Sequence, residues 1–479
     1  MPVWQTLYDI TLNTLTLKLL NTWVSGQDYE VAMELPVLIN RLRFALENDT
    51  VQLLQDQLED VHPADYALAI MEFSLDHLWM LLVALRRSEQ AKVFGYLPAE
   101  MQVALAIQVS RRKLAPIIRQ MSSDERADLF NQLTAEQREM LLPALAQAER
   151  EDLLRLSSHQ EGTAGAIMTS DYAILASDIS VREALDVLRR EAPDKETIYS
   201  AYVVDEARKL IGVVSLRELI LAPTTMLVDE LMNHDPIYAT VDMKQEQVAA
   251  MVAKYDLLAL PILNGEQQMV GIVNYDDAMD VAAEEATEDF HKTATIGKLE
   301  GNVKDASIGL LYRKRVFWLV ILVFGNIFSG AGIAYFEDTI ASYLALLFFL
   351  PLLIASSGNA GAQSGTLMVR ALATGDVKLR DWGSLMAKEC LIAGLLGLTM
   401  SFAVVWLGWW RGGYDIAIVV AATMMLVVMV GSLVGLSLPF LLSRLKLDPA
   451  TASGPLITSI ADVSGVVLYF SIATWYLGL

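Results

Sequence analysis

Everything after residue 315 is dominated by five apolar runs, at about 316–336, 341–367, 385–410, 416–442 and 454–477. Each is near or above the roughly 20 residues that a helix needs to cross the hydrocarbon core of a bilayer. No water reaches backbone N–H and C=O groups in that core, so the runs must close their own hydrogen bonds as helices. An odd number of spans puts the two termini on opposite sides of the membrane. Lys304, Arg313, Lys314 and Arg315 precede the first run, Arg370, Lys378 and Arg380 follow the second, and Arg444 and Lys446 follow the fourth. The opposite connections hold Glu337 and Asp338, then Arg411 and Asp415. This distribution of bases places residues 1–315 in the cytoplasm and Leu479 outside, in a multi-pass protein of the cell membrane.

The last run contains one charged residue, Asp462, eight positions after Gly454. At about 1.5 Å per residue it lies roughly 12 Å inside a helix that starts there, a depth at which an unpaired charge costs at least a few kcal/mol. Two blander readings stay open, a pair with a base of another helix or a neutral carboxyl. The spans offer few bases, which favours a cation path. The second run reads as an interrupted helix, because Pro351 is followed by Ser356-Ser-Gly-Asn-Ala-Gly-Ala-Gln-Ser-Gly365. Broken backbone at membrane depth is tolerated only against protein or water, and Asn359 and Gln363, one helical turn apart, would line that water. The alternative is a small-residue packing seam.

Charge separates the two ends of the chain. Residues 1–300 carry about −23 and residues 301–479 about +2, within a total of −21. So acidic a front part is a poor partner for nucleic acid or anionic lipid and a good one for cations. The single cysteine, Cys390, rules out an intrachain disulfide. The five His residues form no metal-ligand pattern, and no nucleophile–base pair or phosphate loop is visible, so enzyme activity has no support. Met1 to about Gly26 reads as an amphipathic helix with no cleaved signal peptide.

Two repeats fill the front part. Val61, Phe73, Leu85, Leu97, Val109, Met121, Leu133 and Leu145 recur every 12 residues, often followed by helix-start signals such as Ser-Ser-Asp-Glu125 or Thr-Ala-Glu-Gln137. Short helices stacked as a solenoid, of either hand, fit this period and make a docking surface. From about Thr163 to Ala283, Tyr202-Val-Val-Asp…Leu-Ile-Gly-Val-Val-Ser-Leu-Arg-Glu218 matches Leu260-Pro-Ile-Leu…Met-Val-Gly-Ile-Val-Asn-Tyr-Asp-Asp277 at an offset of 59. Each copy reads as strand, turn, strand and a helix starting at the acid. This duplication resembles a tandem pair of CBS domains, regulatory modules that often bind adenine nucleotides.

Together with these repeats and the five runs, Pro351…Gly-Asn-Ala-Gly-Ala-Gln363, Arg370-Ala-Leu-Ala-Thr374 and Asp448-Pro-Ala…Gly-Pro-Leu…Asp462 resemble the MgtE family of magnesium channels. The expected fold is an α-helical membrane protein with five transmembrane helices, carrying a cytoplasmic α-helical repeat domain and α/β tandem CBS domains. Its expected parts are an N-terminal extension helix (1–30), the helical repeat (31–160), two CBS domains (161–223 and 224–283), a connecting plug helix (284–312) and the transmembrane domain (313–479). The resemblance implies a homodimer in the lipid bilayer, with a pore on the two-fold axis that passes Mg2+ down its gradient. Asp462 would hold a largely hydrated ion there, beside the Asn359 wall.

Regulation is implied by the same resemblance. Asp276–Asp289 reads as a helix with Asp277, Asp280, Glu284 and Glu288 near one face and Glu285 and Asp289 beside them, where like charges repel. A solvated acidic helix is the bland reading. In the family this helix is a plug whose acids bind intracellular Mg2+, together with those matching Asp256, Asp124 and Asp128, and close the pore. Arg217 and Glu218 match positions that contact ATP in some members. The chain departs from the family at Ser356-Ser357, at Ala362 and Gly454, where some members have Asn, at Lys92 and Lys244, where some have an acid, and at Leu257-Leu258, where some have an aromatic residue. A broader divalent transporter open to Mn2+ or Co2+, and a CBS-regulated membrane sensor, remain the alternatives.

Overall fold

The computed structural model describes residues 35–48, 50–51, 61–297 and 306–478, in two compact units. The expected extension helix at Met1–Gly26 lies outside them, as does part of the expected plug segment 284–312.

The first unit is built from residues up to His159 with two short insertions, 169–172 and 192–196. Its helices are α1 (Leu35–Glu47), α2 (Pro63–Ile70), α3 (Leu75–Ala84), α4 (Arg87–Gly95), α5 (Ala99–Gln108), α6 (Arg111–Ile118), α7 (Ser123–Gln132), α8 (Ala135–Leu141) and α9 (Gln147–Leu156). The helices from α2 to α9 start from His62, Ser74, Arg86, Pro98, Ser110, Ser122, Thr134 and Ala146, so the 12-residue period is the register of helix starts. Leu81–Leu82, Val93–Phe94, Ile117–Ile118 and Leu129–Phe130 are buried as the period requires. The same period places a polar seal on the preceding helix end, whose last carbonyls have no partner of their own. Gln90 donates to Val83 O and Leu85 O at 3.1 and 2.7 Å, and Gln102 to Gly95 O and Leu97 O at 3.0 and 2.9 Å. Arg138 and Arg150 repeat the contact on Phe130 O and Leu142 O.

The second unit begins with the duplicated part. One sheet orders β1 (Ala173–Leu175), β2 (Ser200–Val204) and β3 (Leu210–Ser215), and the other β4 (Ala239–Thr240), β5 (Ala259–Leu263) and β6 (Met269–Asn274). In each the first pair is parallel and the second antiparallel, with Val203 opposite Gly212 and Ile262 opposite Gly271. Helices α10 (Val181–Glu191), α11 (Leu216–Leu221), α12 (Val228–Leu231), α13 (Gln245–Lys254) and α14 (Tyr275–Thr293) accompany them. Helices α11 and α14 start two residues before the acids expected to open them. Ser215 caps α11 and the Glu218 carboxylate reaches back to Ser215 N at 2.8 Å, the third-position acid of a capping box.

The remaining helices are α15 (Ile308–Tyr335), the short α16 (Glu337–Ser342), α17 (Ala345–Ala373), α18 (Trp382–Arg444) and α19 (Gly454–Leu477). Among the described residues four of them, α15, α17, α18 and α19, are long and apolar enough to cross a membrane. Helix α18 runs 63 residues but turns at Gly413, whose φ of 82° and ψ of −174° no helix contains and which L residues rarely adopt. Its two arms fold back on each other. Ser401 donates to Ala421 O at 2.6 Å, and a Cβ on Gly397 or Gly408 would lie 2.8 Å from Met425 O or Ala417 Cα.

The second span corrects the sequence reading. Helix α17 is continuous through Pro351 and the whole Ser356–Gly365 stretch. Away from water the helix supplies the partners its backbone needs, so glycines that would loosen it in water do not break it. The small residues serve close packing instead. A Cβ on Gly361 would sit 2.8 Å from both Gly431 O and Ile457 Cγ2, and Ser357 donates to Val427 O at 2.8 Å. Leu346, Phe349, Leu353, Met424, Val427, Tyr469 and Phe470 form the core around this seam, and Tyr469 donates to Leu346 O at 3.0 Å.

Candidate ion path and acidic control sites

The geometry of the membrane site starts at the turn before α19. Asp448 Oδ1 accepts from Ala450 N at 2.9 Å, and Ser453 Oγ accepts from Leu456 N at 3.4 Å, which fixes the helix start at Gly454. Asp462 then falls eight residues into α19, half-buried, with Oδ1 buried and without a hydrogen-bond partner. One turn earlier, Thr458 meets α17, where a Cβ on Gly358 would lie 2.8 Å from its methyl. The neighbour of Gly358 is Asn359, which is exposed on the single chain, as is Gln363. The structure therefore brings the Asn359 and Asp462 stretches to one helix–helix crossing. Ala362 and Gly454 also face each other across this crossing, 3.9 Å from Ala362 Cβ to the position a Cβ would take on Gly454.

Sequence reasoning misses a second acid among the spans. Glu389 on the first arm of α18 accepts a hydrogen bond from Ser432 on the second arm, beside the Gly431 contact with Ser357. Its neighbour Lys388, at the edge of an apolar run, makes it look like an interfacial pair.

Outside the spans, the acids of α14 divide. Asp280 and Glu284 are exposed, whereas Asp277, Glu285, Glu288 and Asp289 are half-buried. Gln245 donates to Glu285 at 2.9 Å, tying α13 to α14. Burial pushes the Asp289 carboxyl up, and Asp448, Glu285 and Glu288 push it further, while Lys292 lowers it. Glu246 at the start of α13 is raised by burial and then by Glu285, Asp289 and Asp448, with Lys244 opposing. Lys292 bridges Glu288 at 2.7 Å and Asp448 at 2.6 Å. Asp448 and Glu246 thus join Glu285, Glu288 and Asp289, a grouping that sequence order hides.

Asp256 is exposed in the turn after α13 at a φ of 52°. In the first unit Asp124 lies in the first turn of α7, only 8% exposed, with Oδ1 buried and unpartnered. Burial drives its carboxyl up, more than the Ser122 and backbone hydrogen bonds lower it. Asp128 is one turn further on and exposed. Lys92 pairs with Glu89 at 3.2 Å. Among the described residues no three His, Cys, Asp or Glu side chains form a ready metal cage. Arg217 and Glu218 are exposed at the start of α11, with Glu218 engaged by Ser215.

Family comparison matches this arrangement piece by piece. The MgtE model, described as a divalent cation transporter, matches residues 350–472, the MgtE intracellular N domain matches 61–162, and the CBS domain matches 164–224 and 228–284. The chain is 38% identical over 435 residues to the magnesium transporter MgtE of Thermus thermophilus, covering 90% of this chain and 97% of that one. The chain belongs to the MgtE family. It is also 32% identical to the magnesium transporter MgtE of Bacillus subtilis, over 92% of this chain and 97% of that protein. The solved soluble part of a magnesium transporter aligns with a TM-score of 0.50 at 29% identity, covering 53% of this chain and all of that one. A structure of the cytosolic domain of the Mg2+ channel MgtE in complex with ATP aligns at 0.49 and 35% identity, over 51% and 99%. As an MgtE family member the chain is a multi-pass membrane protein, and the family's activity is transport, not catalysis.

Proposed function

We propose that this protein is a magnesium channel or transporter that admits Mg2+ through five spans and is closed by intracellular Mg2+ at acidic cytoplasmic sites. The observation that carries the reading is Asp462, a carboxylate inside a membrane helix whose buried Oδ1 has no hydrogen-bond partner. Such a group is expensive in a bilayer unless it serves a cation or a water-filled path. The turn at Gly413 divides α18 into two lengths, each sufficient to span, which supports the count of five. The flanking bases support a cytoplasmic N-terminal side and an outward C-terminus. Asn359 and Gln363, exposed on one chain, suit a pore completed by a second copy in a homodimer. The functional division is that of the expected ranges 31–160, 161–223, 224–283, 284–312 and 313–479, with α1 joining the helical repeat.

Mg2+ takes oxygen ligands and keeps most of its water, so carboxylates spaced too far apart for a cage still suit it. Glu285, Glu288 and Asp289 would hold the regulatory ion on α14, with Asp277 and Asp280 earlier on the same helix and Asp256 and Asp124–Asp128 as further sites. The bound ion supplies two positive charges where Asp448, Glu285 and Glu288 crowd the Asp289 carboxyl. The orphaned Asp124 oxygen fits the same role. ATP binding at Arg217 and Glu218 is the finer proposal for the CBS pair, and calorimetric titration with ATP tests it.

The contact of Ala362 with Gly454 favours a second reading, since two small apolar residues face each other where some relatives place amides. Uptake of Mg2+, Mn2+, Co2+ and Ca2+ into proteoliposomes decides between them. Magnesium carried, calcium largely excluded and some leak of manganese or cobalt is the expected outcome. Cobalt flux well above magnesium flux in equal competition replaces the magnesium assignment with the broader transporter.

A further inference from the structure

Lys292 stands where the acidic surfaces converge. It lies in the last turn of α14, and its ammonium meets Glu288 one turn back and Asp448 across 156 residues of sequence. Its side chain is 26% exposed, Glu288's 21% and Asp448's 40%, so the bridge is partly screened from water. Glu285, Asp289 and Asp448 stand close enough to Glu246 to push its carboxyl up after burial, and Asp448, Glu285 and Glu288 do the same to Asp289. Asp448 is itself mechanically placed. Its Oδ1 holds the Ala450 N–H of the turn, and two residues after that turn Ser453 caps α19, which carries Asp462. The Lys292–Asp448 contact therefore ties the end of α14 to the base of the helix with the membrane carboxylate.

We propose that Lys292 is a built-in stand-in for the regulatory cation, a tethered monovalent charge that holds α14 to the Asp448 turn when magnesium is absent and so sets how far the gate relaxes. This rests on magnesium closing through the α14 acids. A charge-assisted hydrogen bond at 2.6 Å is among the stronger polar contacts, and here it neutralises one of five neighbouring acids. With the ammonium gone, like charges drive the two surfaces apart until a divalent ion replaces it. Lys292 is a positioning residue, acting on the ion path only through the start of α19.

The test is hydrogen exchange of the full-length protein in lipid nanodiscs, read at the amides of Phe290–Gly297. Without magnesium, Lys292→Gln exchanges about tenfold faster than the parent, the effect of losing roughly 1.4 kcal/mol. Lys292→Arg keeps the parent rate, and Asp448→Asn, which leaves an oxygen for the Ala450 cap, reproduces the Lys292→Gln result. Saturating magnesium returns Lys292→Gln to the parent rate. Equal exchange of Lys292→Gln and parent without magnesium overturns the proposal, as does a loss in Lys292→Arg equal to that in Lys292→Gln. If magnesium slows exchange in neither protein while the magnesium-free difference persists, the latch stands and the magnesium-closing reading falls.

Discussion

Gly361→Ala tests the seam that positions the ion path. The added methyl would meet Gly431 O and Ile457 Cγ2, each at 2.8 Å, about 0.6 Å short of ordinary van der Waals contact at 3.4 Å. One obstacle is backbone of α18 and the other a side chain of α19, so the methyl meets both neighbouring helices at once. Overpacking of this kind costs about 1–3 kcal/mol. Two tight contacts put Gly361→Ala in the upper half of that range, less the several tenths of a kcal/mol that Ala gains over Gly in a helix. The net expectation is a loss of about 1–2 kcal/mol. Gly394→Ala is the control, because a Cβ there meets nothing within 4 Å and only the helix gain remains. Thermal unfolding in a fixed detergent, followed by magnesium uptake, reads both. Gly361→Ala should unfold several degrees earlier, with reduced flux, because Asn359 rides on the displaced segment. Equal stability of Gly361→Ala and Gly394→Ala would refute the close seam and its role in placing Asn359.

Two further outcomes follow from the acids outside the spans. The combined variant Glu285→Gln, Glu288→Gln, Asp289→Asn should lose the protection that millimolar magnesium gives the α14 segment against proteolysis and should stay open at high magnesium; closure at the parent's concentration makes the helix a solvated face. Asp171 is held above the usual carboxylate range, by burial first and by Asp152, with Arg126 opposing. A raised carboxyl destabilises the native state above its folded pKa, and the cost fades as pH falls toward the ordinary range. Asp171→Asn should therefore raise the melting temperature at pH 7.5, with a gain that shrinks on acidification, and a pH-independent change contradicts it.

The helical repeat was the most legible part, because its 12-residue period carries the chemistry of helix starts as well as of burial. The seals by Gln90, Gln102, Arg138 and Arg150 share that period but escape notice, since a polar side chain reveals its partner only once the preceding helix end is placed. The duplication offset of 59 predicts strands in register, and they are. The continuity of helix α17 is not legible, because Pro and Gly weaken helices where water competes for the backbone, and a membrane span removes that competition. Asp462 is legible because nothing else in its run is charged. Lys292 and Asp448 are not, for neither is unusual alone and 156 residues separate them.

If Asp462 faces the passing ion, magnesium flux into proteoliposomes must depend on its carboxylate, and Asp462→Ala and Asp462→Asn read that dependence. Asp462→Ala should give folded protein with flux abolished or strongly reduced. Asp462→Asn keeps the size and removes the charge that offsets ion dehydration, so it too should conduct poorly. Wild-type flux in both variants would remove Asp462 from the ion path.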